Sequence, residues 1–134
     1  MRITTKGEYG LRVMAELARD FGQGHTPLSE VARRQGLPLA YLEQIVALLR
    51  KAGLVKSKRG AKGGYALTQE PEAITMGEIM RALEVTIAPV ECLLESVELE
   101  CCEMSKTCST RVVWKRVRDG IAEILDSTTL ADLA

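Results

Sequence analysis

Four cysteines carry the most reactive chemistry in this 134-residue chain, and they crowd into one segment: Cys92, Cys101, Cys102 and Cys108. Thiolates are soft ligands that suit iron–sulfur clusters, zinc or copper(I). The spacings Cys92-x8-Cys101 and Cys102-x5-Cys108 match neither the paired C-x-x-C of a zinc ribbon nor the ferredoxin run. Cys101 and Cys102 are adjacent, which makes it awkward for both to face one metal. The expected set is therefore three cysteine ligands from this segment and a fourth ligand from elsewhere, with reduced, unligated cysteines as the alternative. With His25 as the sole histidine, no multi-His zinc site can be built.

The cysteine segment, VECLLESVELECCEMSKTC over residues 90–108, is acidic and has no clear period, so its neighbours must position it. A structureless stretch of this length usually has a functional reason. Upstream, Leu28, Val31 and Ala32 predict a short amphipathic helix, and Gln35-Gly36-Leu37 a turn between crossed helices. Leu42, Ile45, Val46 and Leu49 fall at i, i+3, i+4 and i+7, the spacing of a second helix with one buried face. Pro38 suits its start, and Gly53 its end, in a left-handed position that lets Leu54 fold back onto Leu49. Val55 to Lys58 and Tyr65 to Thr68 then bracket Arg59-Gly60-Ala61-Lys62-Gly63-Gly64, a basic, glycine-rich loop between short strands. Helix, turn, helix and basic hairpin together predict a winged helix-turn-helix, a device for entering DNA grooves. Glycines in the loop would let the wing backbone lie close to a groove. The loop lacks the Gly-Lys-Ser/Thr ending of a nucleotide-binding P-loop.

Charge agrees with that reading. The chain as a whole is neutral, but residues 1–66 hold 12 Lys/Arg against 5 Asp/Glu, net +7, and residues 67–134 are net −7. Such asymmetry points to a phosphate-binding face on one half. Thr5-Lys6-Gly7-Glu8 has the form of a capping box that opens a first helix, with Leu11, Met14, Leu17, Ala18 and Phe21 down one face and Gly22 and Gly24 at its end. His25 follows in a loop and is expected to be exposed. Thr75-Met76-Gly77-Glu78 is a second box, opening a helix that turns Ile79, Met80 and Leu83 inward. From about Ser105 a helix of roughly 20 residues sets Val113, Val117, Ile121 and Ile124 on one face and Arg111, Lys115, Arg116 and Arg118 on the other. Such a stripe needs a partner surface, and a second copy of the chain is the simplest one. Two-fold dimers present reading helices about 34 Å apart, one turn of DNA. Thr128 to Leu133 reads as a short closing turn.

The fold class is therefore mainly α with a small β-wing: a winged helix-turn-helix domain plus a long C-terminal dimerisation helix. The expected parts are a DNA-binding domain over 1–85, a cysteine-containing loop over 86–108, and a dimerisation helix and tail over 109–134. No apolar run approaches the roughly 18 residues that span a bilayer, and the start MRITTKGEYG has no signal-peptide core. The expectation is a cytoplasmic protein without a membrane partner, where four cysteines mean a metal or redox site before a disulfide framework.

Nearly the whole chain resembles the bacterial winged-helix regulators typified by IscR, the iron–sulfur cluster regulator, with NsrR and CymR as relatives. The matching pieces are Thr5-Lys6-Gly7-x-Tyr9-Gly10-Leu11, Tyr41-Leu42-Glu43-Gln44, Leu49-Arg50-Lys51-x-Gly53-Leu54-Val55, Arg59-Gly60-x-x-Gly63-Gly64-Tyr65-x-Leu67 and Thr129-Leu130-x-x-Leu133. The resemblance implies that Cys92, Cys102 and Cys108 hold an iron–sulfur cluster, first a two-iron (2Fe–2S) one, with a four-iron (4Fe–4S) one as the alternative. It also implies that CymR-like relatives, which lack these cysteines, bind none. Cys108-x-x-Arg111-x-x-Trp114 matches the family's Cys-x-x-His-x-x-Trp, but Arg111 is a permanent cation with no lone pair to give. Some relatives recruit an acidic residue from the partner's first helix, and Glu8 falls on that position. Glu8 is thus the first choice for the fourth ligand, ahead of Cys101 or an open or exogenous ligand.

For DNA, the resemblance carries recognition to Glu43 and Gln44 and to Arg59 in the wing. The chemistry agrees: Glu accepts from cytosine N4, Gln pairs with adenine, and Arg enters a narrow minor groove. Ala40 stands where relatives often have Ser, so one polar contact is absent. Tyr41, Lys56, Lys58 and Lys62 are expected at phosphates. The reading is a homodimeric, cluster-sensing regulator on a pseudo-palindromic operator in double-stranded DNA, serving iron–sulfur biogenesis or stress genes. The alternatives are a nitric-oxide or redox-sensing repressor with a four-iron cluster, and a zinc or thiol module without iron. An enzyme using Cys101 and Cys102 is not expected, since no base, substrate pocket or nucleotide motif accompanies them.

Overall fold

A computed structural model of the chain describes residues 5–85 and 109–133. The expected cysteine ligands Cys92, Cys102 and Cys108, and the candidate Cys101, lie outside the described residues. Within them the order is α1 (Thr5–Arg19), α2 (Leu28–Gln35), α3 (Leu39–Lys51), β1 (Val55–Lys58), β2 (Gly64–Leu67), a 3-10 turn (Pro71–Ala73), α4 (Met76–Ala82), α5 (Ser109–Ser127) and a closing 3-10 turn (Leu130–Asp132). This is the mainly helical, winged architecture the pattern predicts.

The α2–turn–α3 unit forms as its residues dictate. Leu28, Val31 and Ala32 are the buried residues of α2, and Leu42, Ile45, Val46 and Leu49 those of α3. Leu37 donates its N–H to Ala32 O at 3.0 Å across the turn, with Gly36 left-handed at φ 65°. α3 ends in a Schellman motif. Gly53 sits at φ 81° and donates to Arg50 O at 3.0 Å, while Leu54 donates to Leu49 O at 3.0 Å. That ending turns the chain directly into β1, so the reading helix and the wing share one rigid corner.

β1 and β2 pair antiparallel with Val55 opposite Leu67 and Lys58 opposite Gly64. β2 starts one residue earlier than the pattern predicts and stops before Thr68, whose hydroxyl instead donates to Gly53 O at 2.6 Å. β2 also pairs with the α1–α2 loop: Thr26 N–H donates to Tyr65 O and Tyr65 N–H to Thr26 O, both at 2.8 Å. Gly64 permits this approach. A Cβ there would lie 2.3 Å from the Thr26 carbonyl, so this glycine seats the wing on its own domain, a role different from approach to a groove. His25, which the sequence predicts to be exposed, is half-buried beside this pairing.

Val13, Met14, Leu17 and Ala18 of α1 join the core with α3, Val55, Leu67, Ile74, Ile79, Leu83 and Leu130. Phe21 does not follow Leu17 inward. α1 ends at Arg19, and Phe21 lies beyond the last turn, 40% exposed. The first capping box does not form either. Helix begins at Thr5 itself, which places Glu8 one position too deep to return to the Thr5 N–H, and its carboxylate pairs with Arg12 at 3.0 Å. The second box is complete: Glu78 N–H donates to Thr75 Oγ1 and Thr75 N–H to Glu78 Oε2, both at 3.1 Å.

α5 rests on α4 near its C-terminal end, where Arg81 Nη2 meets Asp126 Oδ1 at 2.9 Å. After α5 the chain returns to the head. Met76 N–H donates to Thr128 O at 2.8 Å, Thr75 and Thr129 form a bridge, and Leu130 is fully buried.

Candidate nucleic-acid interface

With Leu42, Ile45, Val46 and Leu49 buried, the opposite face of α3 is obliged to be wet, and Ala40, Glu43, Gln44, Ala47, Arg50 and Lys51 are exposed on it. At its start Leu39 is 40% exposed, and Tyr41 is half-buried. Glu43 is the only acid on the helix. The sequence-predicted reading residues Ala40, Glu43 and Gln44 are therefore together on one accessible face within the first two turns. Leu39 was not anticipated; its apolar type hides it among core residues, and only its place ahead of the buried stripe could have revealed it.

The wing supplies the cations. Strand alternation puts Lys56 and Lys58 on one face of β1, opposite Ala66 and Gly64. Those small partners leave the lysine stems room to lie over the strand. Val55 faces the core, whereas Lys56, Ser57, Lys58, Arg59, Gly60, Ala61 and Lys62 are all exposed. Among the described residues Lys56, Lys58, Arg59, Lys62 and Glu43 take part in no ion pair. A cationic hairpin without internal neutralisation beside an exposed polar helix face suits phosphate and base-edge contacts.

A network missed in the sequence ties α2 and α1 to the loop that pairs with β2. Glu16 is only 3% exposed, and it accepts from Arg34 Nη1 at 3.3 Å, Arg19 Nη1 at 3.4 Å and Gln35 Nε2 at 2.5 Å. Asp20 accepts from Thr26 Oγ1 at 2.7 Å and Arg34 Nη1 at 2.9 Å. Burial pushes the Asp20 carboxyl up, but the hydrogen bonds from Thr26 and Arg34 outweigh it and hold the group below its ordinary value. Glu30 pairs with Arg33 and Arg34, and the Arg33 hydrogen bond leads in pulling its pKa down to about 2. Asp20 and Glu16 in turn hold Arg34 more firmly cationic. The chain of contacts runs from α2 through α1 to Thr26 and so to β2. A buried acid is tolerated because it is paired. No periodicity announces Glu16, which sits between apolar residues of α1 and meets its partners only in three dimensions.

Of the sequence-predicted cluster ligands, Glu8 alone is among the described residues. It lies in the first turn of α1 with its side chain 58% exposed, tied only to Arg12, itself 46% exposed. An exposed pair of this kind holds a carboxylate weakly, so its oxygens are open to a metal brought to that surface. Among the described residues no three His, Cys, Asp or Glu side chains converge as a metal site. None of the described helices is long and apolar enough to cross a membrane.

The family model Rrf2, described as "Iron-dependent Transcriptional regulator", matches residues 3–134. The HTH-type transcriptional regulator CymR of Bacillus subtilis (strain 168) is 52% identical over 134 residues, covering 100% of this chain and 90% of CymR. A solved structure described as the structure of CymR (YrzC), the global cysteine regulator of B. subtilis, matches with a TM-score of 0.82 and 51% identity, covering 100% of this chain and 96% of that one. T. potens IscR matches with a TM-score of 0.79 and 44% identity, covering 99% of this chain and 85% of that one. The relatives are named as regulators, not as enzymes.

Proposed function

This chain belongs to the Rrf2 family of transcriptional regulators, and from that premise we propose that it is an iron–sulfur-sensing regulator that reads a pseudo-palindromic operator as a homodimer. It binds DNA with α3 and the wing. Glu43 and Gln44 meet base edges, Arg59 enters the minor groove, and Tyr41, Lys56, Lys58 and Lys62 hold phosphates around Ala40. The stripe on α5 supports the dimer: Val113 is 56% and Ile124 66% exposed at helical spacing.

Cys92, Cys102 and Cys108 are the thiolate ligands, and Glu8 from the partner's α1 gives the fourth, oxygen ligand. The observation that carries this is the exposed Glu8 carboxylate at the outer end of α1, added to a cysteine segment that runs directly into α5. Similarity to T. potens IscR and the iron-dependent description of the family support it. When bound, the group supplies a redox- and ligand-sensitive centre. A carboxylate bonds iron less tightly than a thiolate does, so the Glu8 side is the labile one. The protein is placed in the cytoplasm, beside its DNA.

A second reading is favoured by the 52% identity with CymR over the whole chain, and by the description of its solved structure as a global cysteine regulator. In it the cysteines act as thiols without iron and the controlled output is cysteine metabolism. Anaerobic purification of wild type and Cys92→Ala, with visible spectrum, iron and sulfide, separates the two. A coloured wild type with about two or four irons per subunit, lost in the variant, supports the cluster and fixes its size. A colourless, iron-free wild type overturns it in favour of the thiol reading.

A further inference from the structure

The first turn of α1 has two faces with different contacts. Glu8 is exposed on one. On the other, Tyr9 is half-buried, and its ring meets that of Tyr41 on α3 edge to face, with centroids 5.6 Å apart and planes at 82°. Lys6, three residues before Tyr9 and so on its face, lines a shallow cleft with Tyr41, Gln44, Ile45 and Leu48. The turn that carries Glu8 therefore lies against the reading helix at the level of Tyr41 and Gln44, beside Glu43.

One residue further on, α1 is pinned. At Gly10 a Cβ would lie 2.2 Å from Leu83 Cδ1, so the buried Leu83 side chain sits directly on the α1 backbone. A pull on Glu8 cannot slide the whole helix past that seat. It would instead tilt the turn ahead of Gly10, and the Tyr9–Tyr41 ring pair is one side-chain contact between that part of α1 and α3. Aromatic edges favour particular geometries, so a moved Tyr9 ring moves its partner with it.

We propose that Tyr9 is the positioning residue through which a change of ligation at Glu8 reaches the DNA-reading face, by setting the pose of Tyr41 and hence the approach of Glu43 and Gln44 to base edges. The inference rests on Glu8 being a cluster ligand. Tyr9 itself touches neither DNA nor iron in this scheme.

The test uses the full chain, wild type, Tyr9→Phe and Tyr9→Leu, iron-loaded and after anaerobic removal of iron. The probe is the duplex that wild type selects from a randomised pool. Wild type and Tyr9→Phe should share the same affinity ratio between loaded and iron-free forms. Tyr9→Leu should keep its visible spectrum while losing about tenfold of that ratio. A coloured Tyr9→Leu that keeps the wild-type ratio overturns the proposal. Fluorotyrosine labelling of the wild type gives a second readout that needs no variant to fold. The Tyr41 resonance, assigned by its loss in Tyr41→Phe, must shift when iron is removed, and an unmoved resonance also overturns the proposal. A colourless wild type is a different result: it overturns the cluster reading itself, and this inference with it.

Discussion

Leu130 donates its backbone N–H to the carbonyl of Ile74 at 3.0 Å, and both side chains are fully buried. The last turn of the described chain thus completes the core of the winged head. Its own ends are tied: Asp132 Oδ2 accepts from Thr129 N–H at 2.9 Å, closing a small capping box. α5 is therefore anchored to the head at its C-terminal end. Leu130→Ala should lower the unfolding free energy by about 2–5 kcal/mol, the usual range for emptying a buried leucine site. Urea unfolding followed by circular dichroism measures this, and a loss under about 1 kcal/mol would mean that the tail does not close the core.

Towards its start α5 presents apolar side chains outward. Val112, Val113 and Trp114 are 63%, 56% and 41% exposed, and Ile124 is 66% exposed. Val113 and Ile124 lie three turns apart on one side of the helix. Ile124→Glu should leave the head folded, since this side chain takes no part in its core. It should convert the protein to a monomer by sedimentation, and operator affinity should fall by about 10²-fold or more with the loss of two-site binding. A dimeric Ile124→Glu protein would place the interface elsewhere.

The parts of this molecule that were legible in sequence are those set by local rules. The four buried positions of α3, the Gly53 ending and the Thr75–Glu78 box each follow from residues within a few positions of one another. The same rule misled at Thr5–Glu8, because a four-residue pattern does not say at which residue helix begins. Phe21 fits the α1 spacing but lies past the helix end, and periodicity alone does not mark that end. Glu16, Thr26 and Leu130 were invisible for a different reason. Their partners are 18, 39 and 56 positions away, at Arg34, Tyr65 and Ile74, and only the folded chain pairs them. Residue type and helix face were enough to expect Ala40, Glu43, Gln44 and the wing cations at the surface, where they lie exposed, whereas the Tyr9–Tyr41 contact has no local signature.

In the proposed reading Glu43 is an acid on a face that meets phosphates, and its contribution there is discrimination. Glu43→Ala removes repulsion and a base contact together. It should relax sequence preference at one position, where a good pair is worth about 1–3 kcal/mol, while binding to scrambled DNA holds or tightens. Lys62→Ala should instead weaken binding to every duplex alike and flatten the salt dependence by about one unit of slope. Competition binding across a salt series compares the two. Equal loss on all sequences for Glu43→Ala would remove it from base reading.

The Glu8 assignment makes a separate demand. Because Glu8 is exposed and paired only with Arg12, Glu8→Ala should change unfolding by about 0.5 kcal/mol or less. The visible spectrum should alter and the cluster should bleach faster in air. An unchanged spectrum and lifetime in a loaded Glu8→Ala protein would leave the carboxylate outside the iron site.

The α1–α2 network makes stability depend on pH in a predictable direction. Glu30 has its pKa drawn from 4.5 to about 2, first by the Arg33 hydrogen bond and further by Arg34. A depressed carboxylate stabilises the fold fully above its unfolded value, near pH 4.5. The contribution is lost as pH falls from there through about 2, because the unfolded chain takes up the proton more readily than the folded one. Asp20, also lowered, acts in the same sense. Glu30→Gln carries no titrating group at this position, so wild type and variant should differ in urea midpoint at pH 7 and converge as pH falls below about 4.5. A difference that is the same at pH 7 and pH 3 would show that Glu30 contributes through packing or a neutral hydrogen bond, and that its charge does not stabilise α2 through Arg33 and Arg34.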